Sequence, residues 1–246
     1  MSRPLRVEYP GAWYHVMNRG RRSEKVYLNK NDYQTYIDLL IEACELWSVN
    51  VSAYSLMPNH YHLLINTPQG NLSRFMRHVN GVYTQRFNKN HKYEGQLFRG
   101  RYKSIMVDGD GYLLQLVRYI HRNPLRAKIV RNIDNYEWSS HKAYVSTSSN
   151  WNWLYKDFIL KILSEDKDKW VKEYRNFVDL EDSKEIIKIF KSSKMPSLLG
   201  SEEFIISVKE KYYKEKINKD IPESYNLSPG IAVSYTHLTL PTICSV

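Results

Sequence analysis

Apolar and polar positions along this chain change period several times, and each change marks an element. "GAWYHVMNRG" (11–20) reads as a strand that ends at a glycine. "NKNDYQTYIDLLIEACELWSV" (29–49) predicts a helix, with Tyr36, Leu39, Leu40 and Ala43 as its apolar stripe and Asn29 or Asn31 as its cap. "NVSAYSLM" (50–57) and "HYHLLINT" (60–67) predict two strands joined by a tight turn at Pro58 and Asn59. "NLSRFMRHVNGVYTQRFNKNH" (71–91) is a second helix, with Leu72, Phe75, Met76, Val79, Val82, Tyr83 and Phe87 at core spacing. "QLFRGRYKSIMV" (96–107) reads as a further strand, and "GYLLQLVRYIHRNPLRAKIV" (111–130) as a third helix interrupted at Pro124. The order β-α-β-β-α-β-α predicts an α+β fold of the ferredoxin-like kind, an antiparallel sheet with helices packed on one face.

After about residue 145 the pattern changes. Residues 146–223 read as a small helical appendage: an aromatic-rich stretch over 151–178, then short helices in "DSKEIIKIFKSS" and "SEEFIISVKEKYYKEKI". From Ser224 to Val246 no charged residue occurs, and "SYTHLTLPTICSV" breaks with everything before it. Residues 224–246 are therefore set apart as an atypical tail, disordered or artefactual, from which no function is read.

Composition narrows the class. Of 246 residues, 42% are hydrophobic, enough for a core, yet no apolar run nears the length that spans a membrane. The opening "MSRPLRVEYPGAWYH" has no apolar h-region, and the two cysteines, Cys44 and Cys244, sit in no metal-like spacing. A cytoplasmic protein with neither disulfide scaffold nor zinc ribbon is expected. Residues 1–145 hold 21 Lys+Arg against 11 Asp+Glu, whereas residues 146–246 hold 15 of each. The whole excess of +10 thus sits in the first segment, where arginine outnumbers lysine, and it points to a polyanion partner.

The candidate chemistry lies in the strand 60–67. Side chains alternate along a strand, so His60 and His62 share one face and Tyr61 takes the other. Two adjacent imidazoles form a poor core but half of a metal site. In the third helix Tyr119 and Asn123 are spaced i and i+4, on one face. Asn123 offers a carbonyl oxygen suited to Mg²⁺ or Mn²⁺. Pro124 leaves the carbonyl of Ile120 without its helical donor, so a kink is expected beside these side chains. A tyrosine hydroxyl, with an ordinary pKa of ~10, becomes a usable nucleophile when a metal polarises the group it attacks. Arg99, Arg101 and Lys103 alternate, as if lining one strand face where a phosphate backbone could lie. Arg19 and Arg21, in the Arg19-Gly20-Arg21-Arg22 loop, are further candidate DNA contacts. His15 reads as structural, Tyr112 as packing, and His121 as facing away from Tyr119.

"MPNHYHLL" followed by "YIHRNPLRA", with "WYHVMNRG" and "LFRGRYKS" in place, resembles the HUH single-strand DNA transposases with one catalytic tyrosine, of the IS200-like and REP-associated kind. The resemblance covers about residues 5–145; Tyr61 departs from the usual aliphatic middle residue of the His-hydrophobic-His pattern. It implies an HUH tyrosine transposase domain over 1–145, with a divalent metal held by His60, His62 and Asn123. It also implies Tyr119 as the nucleophile, forming a 5′-phosphotyrosine and releasing a 3′-hydroxyl. The implied partner is single-stranded or hairpin DNA, with the protein a monomer or homodimer. The alternative is a domesticated protein that binds DNA or RNA hairpins without cleaving them.

Overall fold

In the computed structural model, which describes residues 7–192, 195–217 and 231–232, the centre of the molecule is a four-stranded antiparallel sheet. The hairpin β2 (Asn50–Met57) and β3 (His60–Thr67) turns through Pro58 and Asn59, as the sequence predicts. β1 (Ala12–Arg19) lies on the other side of β3, and β4 (Lys103–Val107) beyond β1. Two short strands, β5 (Leu198–Gly200) and β6 (Ile231–Ala232), then add in parallel, giving the order β2-β3-β1-β4-β5-β6. The sheet is therefore mixed, because its edge is completed from the far end of the chain. Of the stretch 224–246 only Ile231–Ala232 lies among the described residues.

Alternation along the strands sorts the side chains onto two faces, and helices cover both. On one face, Tyr61 of β3 meets Tyr36 of α1 (Lys30–Trp47) at 5.2 Å between ring centroids. Its hydroxyl donates to Asn80 Oδ1 of α2 (Leu72–His91) at 2.9 Å. A tyrosine is tolerated in the middle of this strand because α2 supplies an acceptor for its one polar atom. On the other face, His62 meets Tyr119 of α3 (Asp110–His121). The expectation of helices on a single face is thus corrected.

α1 begins with a reciprocal cap. Asn29 accepts from the backbone N–H of Asp32, and the Asp32 carboxylate accepts from the N–H of Asn29. The third helix breaks where Pro124 predicts: α3 ends at His121 and a short α4 (Asn123–Arg126) restarts with proline in its first turn. The predicted strand 96–107 is regular only from Lys103, because the chain turns at Gly100, whose φ of 93° is open to glycine.

Residues 146–217 do not stand apart. After α5 (His141–Tyr144), the helices α6 (Asp157–Leu163), α7 (Trp170–Asp179) and α8 (Lys184–Lys191) pack on the face that carries α3, and α9 (Glu202–Ile217) follows β5. Trp13 of β1 stacks on Phe158 of α6 at 5.3 Å, and His15 meets Phe190 of α8 at 4.6 Å. The aromatic-rich stretch over 151–178 holds α6 and α7, separated around Ser164–Asp166, where Asp166 caps a short 3₁₀ turn. Among the described residues no helix is long and apolar enough to cross a membrane.

The glycine that ends β1 has a steric reason. A Cβ on Gly20 would stand 2.1 Å from the carbonyl oxygen of Glu24, so the loop after β1 closes only without a side chain there. Gly20→Ala should lower the unfolding free energy by about 1–3 kcal/mol, the usual cost of forcing atoms into a filled space. Urea unfolding measures it; a variant as stable as the parent would show that the loop yields without cost.

Candidate active site

The β2–β3 turn fixes the first histidine. Its backbone is locked to the loop after β1: Gly20 N–H donates to the Asn59 carbonyl at 2.8 Å and Val26 N–H to that of Pro58 at 2.8 Å. The Asn59 side chain donates from Nδ2 to the Ser23 carbonyl at 3.2 Å, which turns its Oδ1 toward His60 Nδ1 at 2.6 Å. The Nδ1 edge of His60 is therefore occupied, and its ring also hydrogen-bonds the side chain of Asn123. His62 stands perpendicular to His60, with ring centroids 5.2 Å apart, and its Nδ1 lies 2.9 Å from His15 Nε2. With both Nδ1 atoms taken, the Nε2 edge of each ring is left without a partner of its own strand or turn.

Tyr119 closes the cluster, with its ring 5.7 Å from His62 and 6.0 Å from His15. Asn123 lies one turn beyond Tyr119, so Tyr119 meets His62 while the Asn123 side chain meets His60. The guanidinium of Arg126 lies 3.9 Å over the Tyr119 ring and bonds its backbone carbonyl. Phe190 covers the same ring at 4.6 Å. Burial raises the pKa of the tyrosine, and the charge of Arg126 opposes that rise. Burial pushes His60 down to about 4, with Arg19 adding to the effect, and drives His62 well below its ordinary value. Both imidazoles are thus neutral near pH 7, the state in which a ring nitrogen offers a lone pair.

Two neutral imidazole nitrogens and an amide oxygen make a donor set that suits a divalent cation. Among the described residues no three His, Cys, Asp or Glu side chains gather to hold a metal.

The basic residues fall in less regular places. Arg19 is paired with His60 across β1 and β3, on the site's own face. Arg99 lies in the loop, its N–H donating to the Arg19 carbonyl at 2.8 Å. Arg101 borders a cavity of about 790 Å³ that Arg77, Asn80 and Gln85 of α2 also line, whereas Lys103 begins β4 opposite Met17. The expected single strand face of Arg99, Arg101 and Lys103 does not form, because regular pairing starts only at Lys103. Arg21 is exposed in the 3₁₀ turn after Gly20.

Sequence reasoning missed three neighbours of Tyr119. Arg126 stood inside the quoted motif without a role. Phe190 and Asp182 come from the appendage, and the buried carboxylate of Asp182 pairs with Arg126 and with Arg122 Nε at 3.6 Å. No local pattern announces such distant contacts.

Tyr112 is core, and His121 points away as expected, into a second polar cluster. The bonds run one way. Ser140 donates to His121 Nε2 (2.7 Å), His121 Nδ1–H to the Tyr174 oxygen (2.8 Å), Tyr174 O–H to His141 Nδ1 (2.7 Å), and His141 Nε2–H to Asp134 (2.9 Å). The order satisfies every group while both histidines stay neutral, and it fastens α7 to α3.

Residues 8–123 match the family model for IS200-like transposases. The structure of a REP-associated tyrosine transposase bound to a REP hairpin aligns with a TM-score of 0.51 and 18% identity, covering 60% of this chain and 87% of that one. A second solved structure, from Deinococcus radiodurans R1 and assigned to the transposases by its description, is 19% identical over 50% of this chain and 97% of its own. Its TM-score is 0.35. No curated protein matches the chain. The segment 8–123 is thus similar to the IS200-like transposase family, a class of DNA-cleaving and strand-transferring enzymes. Within that class the α+β architecture is the one seen in the REP-associated tyrosine transposase.

The buried histidines make stability depend on acid. Burial holds His15 down to about 3, and His121 and His141 below their ordinary value. In the unfolded chain these imidazoles protonate near ~6.5. Below that pH the unfolded state binds more protons, so stability is complete above about 6.5 and falls as the pH drops toward the native values. Urea midpoints in the presence of a chelator should therefore decline steadily from pH 7 to pH 4.5. A flat profile would mean that these side chains are not buried neutral.

Proposed function

We propose that this protein is a metal-dependent transposase that cleaves and rejoins single-stranded DNA through Tyr119, acting at hairpin elements. The observation that carries the reading is the convergence of His60, His62, Asn123 and Tyr119 at one end of the sheet. A Mg²⁺ or Mn²⁺ ion held by His60, His62 and Asn123 would supply charge that polarises the scissile phosphate. His60 and His62 suit that role because each has its Nδ1 edge tied to a neighbour, which keeps Nε2 for a ligand.

The chain's own residues do the rest. The Tyr119 oxygen attacks phosphorus, the bond to the 3′ oxygen breaks, and the phenolic proton ends on the departing 3′-hydroxyl. The DNA remains on the enzyme as a 5′-phosphotyrosine. Because one phosphodiester replaces another, a 3′-hydroxyl can later reverse the exchange and rejoin strands without an external energy source. Water as nucleophile would end in hydrolysis. Arg126, stacked on the tyrosine ring, lessens the cost of its ionisation, and Arg19 beside His60 lies where an incoming phosphate would pass. The retained set of four polar side chains favours this reading over a hairpin-binding protein that no longer cuts.

Tyr119→Phe removes one oxygen and leaves the ring that packs on Phe190. It should bind hairpin DNA as the parent does and form no covalent adduct, whereas Tyr112→Phe should still form one. Gel analysis with labelled single-stranded hairpins in Mn²⁺, followed by peptide mapping, reads the outcome. An adduct on another tyrosine, or one that persists in Tyr119→Phe, refutes the assignment.

Arg99, Arg101, Lys103, Arg19 and Arg21 are proposed to carry the DNA backbone. Arg99→Ala and Arg101→Ala should each weaken binding and lower the slope of log affinity against log salt by roughly 0.7, the value for one phosphate contact on a single strand. Unchanged affinity and slope in both variants would remove these arginines from the DNA path.

A further inference from the structure

His15, which the sequence marks only as structural, sits in the middle of β1 with no exposed surface. Its Nε2 lies 2.9 Å from Nδ1 of His62. The two rings are inclined by only 23° with centroids 5.1 Å apart. Face-to-face packing would place the ring atoms, not the edge nitrogens, in closest contact. A short N···N distance at this centroid separation means nearly coplanar rings joined edge to edge by a single in-plane hydrogen bond.

One proton is shared between these two nitrogens, so only two arrangements exist while both rings are neutral. If His15 donates, His62 carries its own proton on Nε2 and has no lone pair toward His60 and Asn123. If His62 donates, its proton sits on Nδ1 and the Nε2 lone pair points into the cluster. His60 meets the same condition by another route, since Asn59 Oδ1 accepts from its Nδ1. His15 Nδ1 has no hydrogen-bond partner among the described residues, so nothing else ties the His15 ring to one tautomer. Phe190 lies perpendicular to the ring at 4.6 Å and holds it in place.

We infer that His15 is a positioning residue: by accepting the Nδ1 proton of His62 it fixes the tautomer and the ring plane that present His62 Nε2 to a divalent cation. The inference rests on the proposed metal role of His60, His62 and Asn123. Hydrogen-bond partners of this sort commonly change metal affinity 10- to 100-fold when removed.

The test uses the full chain and Mn²⁺ alone, with binding followed by electron paramagnetic resonance or calorimetry. His15→Leu should weaken Mn²⁺ binding 10- to 100-fold with its urea midpoint measured alongside. His15→Gln, whose amide oxygen can accept the same proton, should recover part of the loss. Long-range ¹H–¹⁵N spectra of the metal-free parent, labelled with ¹⁵N-histidine, should find His62 protonated on Nδ1. The inference is overturned if folded His15→Leu binds Mn²⁺ within twofold of the parent while His60→Ala abolishes binding, an outcome that leaves the metal site standing. It is also overturned if His62 carries its proton on Nε2, which decides the matter even where His15→Leu does not fold. A parent chain that binds no Mn²⁺ removes the metal site and this inference with it.

Discussion

The site depends on the register of β3 between its two neighbours. Because the side-chain period is two, a slip of one residue would send Tyr61 into the cluster and both histidines into the core. Tyr61 opposes such a slip: its ring is buried between α1 and α2, and its hydroxyl already has its acceptor in Asn80. The residues between and around the histidines thus hold the register that the histidines use. The tight turn at Pro58 and Asn59 closes the same constraint from the end, and Asn59 serves both the fold and the His60 ring.

Around that register the chain builds a polar cluster inside an apolar sheet face. Burial keeps the imidazoles neutral, which suits them as ligands and makes the fold acid-sensitive for the same reason. The helical turn from Tyr119 to Asn123 is the second geometric device. Across the restart at Asn123 the chain keeps helical hydrogen bonds, so Asn123, four residues after Tyr119, meets His60 while Tyr119 meets His62. The appendage completes the surroundings from far away in sequence, with Phe190 on the tyrosine ring and Asp182 on Arg126.

Much of this was legible in the residues alone, and the boundary is physical. The hairpin, the three main helices and the pairing of His60 with His62 follow from local periods and turn residues. The motif implied that Asn123 lies near the histidines, and its side chain bonds that of His60. The strand predicted over 96–107 failed before Lys103 because the positive φ at Gly100 interrupts an alternation that remains visible in sequence. Helices on both faces, the parallel edge strand β5 and the roles of Arg126, Asp182 and Phe190 arise from contacts between distant segments. His15 was underread for a related reason: a single histidine in a strand carries no sign of the ring it will meet on the next strand.

The central claim is that three side chains brought together by a register and a helical turn hold one cation beside Tyr119. Anomalous scattering from crystals of the full chain soaked in Mn²⁺ tests it most directly. The account predicts a single peak in contact with Nε2 of His60, Nε2 of His62 and the amide oxygen of Asn123. A cluster that stays empty at saturating Mn²⁺, or an ion bound elsewhere without these atoms, would contradict it.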